Sequence, residues 1–382
     1  MRDTRWNDTA GIGISLVMLV LLASGAQAAF YSGGTGMEAD PYQIGSAADW
    51  ATLSATPVDW DKHFFLTADI DFDGATLTPV GNANTPFSGV LNGADHVLSN
   101  GQINLPATDY VGVFGCLGSP GVIRNLGVDA VSVEGKSYVG GLAGYNLGGK
   151  IISCYTTGTV TGREDYVGGL VGYNGSSGVI ASCFSLGTVT GGRDYTGGLV
   201  GNNSSWSKIT SCYAMGAVMS SGNYVGGLAG SLAGVNMGDS EVEFCYATGA
   251  VTGGGTELGG LVGYSWYGLV TASYWDKDTS AQSASEGGSG RTTEEMTHPY
   301  AANTYEGWDF TTVWTMDVDY RVNKGYPYLW DCPPPEGTGS CGCVGATGKE
   351  LNSEDGPFRI LADWLLIGLS VLVLAVFSST RR

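Results

Sequence analysis

Tyr166–Asn174 reads YVGGLVGYN, and the phrase returns with small changes along the middle of the chain. It stands at Tyr138 (YVGGLAGYN), Tyr195 (YTGGLVGNN) and Tyr224 (YVGGLAGSL), with an altered copy at Tyr110 (YVGVFGCLG) and a last one at Leu258 (LGGLVGYSW). The steps are 28, 28, 29, 29 and 34 residues. A second phrase rides behind the first: IISCYTTGTV at 151, IASCFSLGTV at 180, ITSCYAMGAV at 209, VEFCYATGAV at 242 and a weak VTASYW at 270. Each unit thus holds three short β-like pieces separated by Gly, Asn, Ser or Asp.

A period of 20–50 residues with such content means a stacked array. One unit cannot bury its apolar side alone. Stacking equivalent pieces buries a continuous interior and pairs backbone N–H and C=O groups between units. Parallel strands joined by crossovers are overwhelmingly right-handed. The expected fold is therefore all-β, a right-handed parallel β-helix (β-solenoid) with capped ends. A β-propeller needs blades of about 40–50 residues, more than these steps provide. The glycine pair in each phrase (140–141, 168–169, 197–198, 226–227, 259–260) is read as geometry, allowing positive φ or close backbone packing. No Lys-Ser or Lys-Thr follows it, which argues against a phosphate cradle.

Composition agrees. There are 63 glycines in 382 residues, far above the usual share of about 7%, without the three-residue period of collagen. Helix formers are scarce between the two ends, while Thr, Val, Tyr and Ser abound. The net charge of −19 offers no basic face for nucleic acid.

The phrase GGLVG at this spacing resembles the GLUG-motif repeat family of bacterial secreted and surface proteins. Tyr31–Ala48 (YSGGTGMEADPYQIGSAA) resembles the leader such proteins carry, and Phe65–Gly74 (FLTADIDFDG) with Pro79-Val80-Gly81 resembles their first coils. Tyr274-Trp275-Asp276, Gly307-Trp308-Asp309-Phe310 and Gly325-Tyr326-Pro327-Tyr328-Leu329 resemble their closing segment. The resemblance spans about residues 31–331. It implies an adhesin-like or structural surface role and supplies no catalytic residue.

Both ends are apolar. Residues 12–23 (IGISLVMLVLLA), after Arg2 and Arg5 and before Ala26-Gln27-Ala28, form a secretory signal pattern with cleavage expected after Ala28. An uncleaved anchor is the alternative reading. Trp364–Phe377 (WLLIGLSVLVLAVF) ends at Arg381-Arg382, which reads as a membrane span with a cytoplasmic tail. The alternative there is a buried C-terminal helix. Together these ends resemble bacterial proteins with C-terminal sorting tails. The resulting organisation is a signal peptide at 1–28, an N-terminal cap and first coils at 29–109, and the repeat solenoid at 110–273. A closing segment follows at 274–331, a Cys/Pro/Gly linker at 332–359, a transmembrane helix at 360–378 and an Arg tail at 379–382.

Several side-chain columns bear on chemistry. Cys154, Cys183, Cys212 and Cys245 share one repeat position, read as a stack of buried reduced thiols. Bridges between neighbouring coils and a metal column are the alternatives. The residue two before each cysteine is Ile152, Ala181, Thr210 or Glu243, so the strand is expected to bend before the cysteine to keep Glu243 from the core. Cys332, Cys341 and Cys343 in the linker are read as one disulfide plus a free or lipidated thiol. Asp69, Asp71, Asp73 and Gly74 open like a calcium loop, but Val80 stands where glutamate is required. Ser137, Asp165, Asp194, Asn223 and Glu257 are expected to line a solvated edge, where calcium is a hypothesis. Asn146, Asn174 and Asn203 are expected to form an amide ladder. His63, His96 and His298 sit in no nucleophile motif. The sequence thus nominates no catalytic residue, no cofactor site and no metal ligand. It points to a non-catalytic protein of the cell envelope, tethered to a membrane, with a glycan or extracellular-matrix ligand as the expected partner. A carbohydrate-active β-helix enzyme is the competing expectation.

Overall fold

The computed structural model describes residues 31–234 and 240–335. The signal segment 1–28, the linker beyond Pro335 with Cys341 and Cys343, the apolar segment 360–378 and the tail 379–382 lie outside the described residues. Among the described residues no helix is long and apolar enough to cross a membrane.

Those residues form a parallel β-solenoid. The coils that begin at Tyr166, Tyr195 and Tyr224 each carry five short strands, more than the three pieces legible in the sequence, whereas after Tyr138 the last three run together as Lys150–Gly162. In the coil after Tyr166 they are Val167–Gly168, Val171–Gly175, Val179–Ala181, Phe184–Ser185 and Thr188–Gly191. Each pairs in parallel with its equivalents one coil before and after, as in Val139↔Val167↔Thr196 and Ile151↔Ile180↔Ile209. The pairing extends to the first coils, where Tyr42–Ile44 lies on His63–Leu66 and that strand on Val90–Asn92.

The apolar residues of all coils merge into one interior that runs without a break from Ile44 to Trp275. This continuous core is what stacking was expected to produce, and it dominates stability because apolar burial is the main favourable contribution to folding.

The glycine pairs serve close approach rather than positive φ. A Cβ on Gly168 would come within 2.1 Å of the Val171 carbonyl oxygen, and one on Gly169 within 2.2 Å of the Gly198 carbonyl oxygen one coil on. The left-handed position falls instead on the tyrosine before each pair, with φ of 62°, 56°, 65°, 67° and 60° at Tyr110, Tyr138, Tyr166, Tyr195 and Tyr224.

The bend before the cysteines is present. Ser153, Ser182, Ser211 and Phe244 all adopt φ near 50°. The chain therefore turns between residues 152 and 154, and Cys154 is fully buried while Ile152 is not. Glu243 stays half-exposed by the same device. The amide ladder is also present. Asn146 Nδ2 donates to Asn174 Oδ1 at 2.8 Å, and Asn174 Nδ2 to Asn203 Oδ1 at 2.7 Å, all three residues being fully buried.

One register expectation is corrected. Val225 pairs with Leu258, so Glu257 stands opposite Tyr224 and not in the row of Asp165 and Asp194. Thr256 takes the acidic row's place, its N–H donating to Asn223 Oδ1 at 3.3 Å. The last step is consequently 33 residues (258 minus 225) rather than 34.

At the N-terminal end Ala47–Ala55 forms a helix, started by Ser46 accepting from the Asp49 N–H. Its Trp50 packs edge-on against Phe72 and Phe114 and covers the open core. At the other end Ser289–Arg291 adds to Tyr274–Asp276. The rest of the closing segment, however, lies along a side. Trp314 packs against Tyr213, and the Pro327 carbonyl accepts from Tyr246 Oη at 2.7 Å.

Candidate functional site

The columns of the solenoid differ in what they leave free to act. The cysteine column is used internally. The N–H of Cys154 donates to Cys183 Sγ at 3.4 Å, that of Cys183 to Cys212 Sγ at 3.4 Å, and that of Cys212 to Cys245 Sγ at 3.4 Å. Each thiol in turn faces the carbonyl two residues back, as Cys212 does Thr210 at 3.1 Å. All four thiols are unbridged. Ser273 closes the row, its hydroxyl accepting from the Cys245 N–H at 3.0 Å. Burial pushes the Cys154 and Cys212 thiols well above the ordinary value, so they are poor nucleophiles. Among the described residues no three His, Cys, Asp or Glu side chains are grouped to hold a metal ion.

The acidic row is half-buried rather than freely solvated. Asp109 Oδ1 accepts from the Ser137 N–H at 3.2 Å, Asp165 Oδ1 from the Asp194 N–H at 3.1 Å, and Asp194 Oδ1 from the Asn223 N–H at 2.8 Å. Each carboxylate thus satisfies a backbone donor of the next coil, which is why the position recurs. Asp69 and Asp71 are likewise engaged, with the Val97 N–H and Asn100 Nδ2, both at 3.0 Å. His96 faces Asp69, its Nδ1 lying 3.0 Å from Asp69 Oδ1.

What remains open is a strip of tyrosines beside that row. Tyr110, Tyr138, Tyr166, Tyr195 and Tyr224 stack in succession at 4.7, 4.7, 4.8 and 4.9 Å between ring centroids. Tyr145 and Tyr173 pack beside them. The residues are half-exposed, and the hydroxyls of the five stacked rings make no hydrogen bond with the described residues. A bulky residue in the left-handed region costs of order 1–3 kcal/mol and is held there by its surroundings. Here five neighbouring coils each place a tyrosine so. Stacking covers the ring faces, so solvent meets ring edges and phenol hydroxyls at every coil. Desolvation raises the phenol pKa values of Tyr138 and Tyr195, and pushes that of Tyr145 up to about 12. The hydroxyls of Tyr138, Tyr195 and Tyr145 therefore stay protonated and can donate at neutral pH. Sequence reading used these tyrosines only as repeat markers. Their alignment was visible, but their exposure depends on the corner made by the positive φ.

Comparison with known proteins supports this architecture. Residues 135–161 and 165–190 match the GLUG motif. Halomucin of Haloquadratum walsbyi is 36% identical over 141 residues, 34% of this chain and 2% of that protein. A "Putative Gly-rich membrane protein" of Evansella cellulosilytica is 33% identical over 132 residues, 32% of this chain and 15% of that protein. The chain thus spans a small part of either relative's length. The crystal structure of a "putative immunoglobulin A1 protease" from Bacteroides ovatus superposes with a TM-score of 0.60 over 79% of this chain and 95% of its own, at 23% identity. That likeness concerns the fold alone.

Proposed function

We propose that this chain is a non-catalytic surface protein whose solenoid displays a repeating strip of tyrosine hydroxyls and carboxylates to a glycan or matrix ligand. In this reading it is exported through the signal at 1–28 and held in the envelope by the apolar segment 360–378. Nucleic acid is not a partner. The observation that carries the reading is the tyrosine strip, which recurs from Tyr110 to Tyr224 and leaves its hydroxyls unpaired among the described residues. A ligand that is itself periodic can engage such a strip at several points at once, so weak single contacts add through effective concentration. The names of the relatives, halomucin and a Gly-rich membrane protein, fit a surface setting. Catalysis has little support among the described residues. Among the described residues no histidine ring hydrogen-bonds a hydroxyl or thiol, the four column thiols are fully buried, and burial raises those of Cys154 and Cys212 well above the ordinary value.

The test is retention of the full chain on glycan and matrix-protein arrays. The variant Tyr138→Phe/Tyr166→Phe/Tyr195→Phe keeps the ring stack and deletes three hydroxyls. Loss of retention with an unchanged melting temperature is the expected result. Unchanged retention removes the strip as the binding surface. Release of new reducing ends from any bound glycan would favour the carbohydrate-active enzyme instead.

A further inference from the structure

The end of the closing segment does more than cover the solenoid. Residues 331–335 bridge over the corner where Asp95, Asn125 and Ser153 follow one another in successive coils, all in the left-handed region at φ 65°, 52° and 50°. Between bridge and corner lies a cavity of about 430 Å³, within the range of small-ligand sites. Its lining includes Tyr155 and Cys332, only 9% and 6% exposed. The hydroxyl of Tyr155 and the thiol of Cys332 form no hydrogen bond with the described residues. Nor do the carboxyl groups of Asp95 and Asp331, which line the same cavity. These carboxylates contrast with those of Asp69, Asp71, Asp165 and Asp194, each of which is bound to a donor.

Asp95 is open to solvent at the rim, yet its pKa is raised, first by desolvation among its neighbours and then by the charge of Asp331, with His96 opposing. Two carboxylates that line one cavity are complementary to a cation placed between them. The groups are too few and too dispersed for a metal ion among the described residues. The hydroxyls of Ser153 and Tyr155 and the amide of Asn125 are suited to a hydroxylated ligand rather than a bare ammonium.

We infer that this cavity is a binding site for a saccharide unit carrying a protonated amine, the amine lying between Asp95 and Asp331 and ring hydroxyls meeting Ser153 and Tyr155. The inference rests on the glycan-binding reading only for its ligand class. It places a single recognition point on a different side chain set from the tyrosine strip.

Calorimetry with the full chain provides the test, using the β-1,4-linked glucosamine disaccharide as probe and its di-N-acetylated form as the neutral control. The amine form is expected to bind at least about tenfold more tightly, the weight of one charge-assisted hydrogen bond. Asp95→Asn and Asp331→Asn should each weaken it by about tenfold or more. Asp95→Asn should leave the melting temperature unchanged or slightly higher, because it removes like-charge repulsion. Tyr155→Phe should weaken binding severalfold without unfolding, since Phe184 fills the same position one coil on. Equal affinity for both disaccharides, insensitivity to Asp95→Asn, or no heat at all with the full chain would each overturn the site. If calorimetry shows no preference for the amine form while arrays still retain the unaltered chain and not Tyr138→Phe/Tyr166→Phe/Tyr195→Phe, the cavity inference fails and the surface reading stands.

Discussion

Two aromatic columns climb this solenoid, and they have opposite fates. Tyr155, Phe184, Tyr213 and Tyr246 stack at 4.9, 4.7 and 4.9 Å with rings within 8° of parallel. Phe184, Tyr213 and Tyr246 are fully buried, and Tyr155 at the column's end lines the cavity beside residues 331–335. The outer column from Tyr110 to Tyr224 has the same spacing but rings tilted by 12° to 25°, and it faces solvent. The coil spacing sets the distance in both, since parallel strands lie about 4.8 Å apart. Cover sets the rest. The inner rings are ordinary core, where shape and volume decide stability. The outer rings are held in left-handed backbone by their stack and keep their hydroxyls available.

The largest effect that would break this contrast is in the inner column. Tyr213→Ala should cost about 3–5 kcal/mol, the usual range for emptying a large aromatic site, read by denaturant unfolding. The equivalent Tyr195→Ala in the outer column should cost clearly less, because water fills the gap. Equal losses would mean that the two columns are not differently covered.

The cysteine row predicts the next effect. Cys183→Val leaves the Cys154 N–H without its acceptor and should destabilise by about 1–3 kcal/mol. Cys183→Ser should cost less, since Ser273 already performs that role at the end of the row.

Hydroxyl deletions sharpen the comparison further. Tyr246→Phe removes the bonds to the Pro327 carbonyl and Asn323 Nδ2, both at 2.7 Å, and should destabilise by about 1 kcal/mol. Tyr213→Phe should be neutral or stabilising, because that buried hydroxyl has no partner. Opposite signs in thermal unfolding are expected for two adjacent rings of one column.

The smallest effect is on pH dependence. Tyr145 has its phenol pKa raised to about 12 from 10, chiefly by desolvation. Above pH 10 the unfolded chain releases this proton and the folded chain does not, so the stabilising contribution is complete below pH 10 and is lost as pH rises towards 12. Alkaline unfolding curves for Tyr145→Phe should flatten in that window.

Much of this was legible because a repeat writes its own alignment. The parallel stacking, the cysteine and asparagine columns and the bend before each cysteine follow from which residues recur at fixed spacing. Glu243 alone demanded the bend. What escaped was set by contacts between distant parts. The lateral path of the closing segment depends on Tyr246 meeting Pro327, 81 residues away. The register of Glu257 slipped because the final phrase lacks its tyrosine, leaving glycines as the only guide. The exposure of the outer tyrosines follows from positive φ at a bulky residue, which propensity assigns to glycine. The cavity under residues 331–335 is built from one corner of the coils and a segment far along the chain, so no local motif marks it.

Successive copies lie directly on one another in the observed register. Lys150, Val179, Lys208, Glu241 and Leu269 are consecutive partners. Spin labels introduced as unnatural amino acids at Lys150 and Leu269 should report one narrow distance, near four coil steps or about 19 Å plus the label arms. A broad distribution, or a distance beyond twice that value, would contradict the stack.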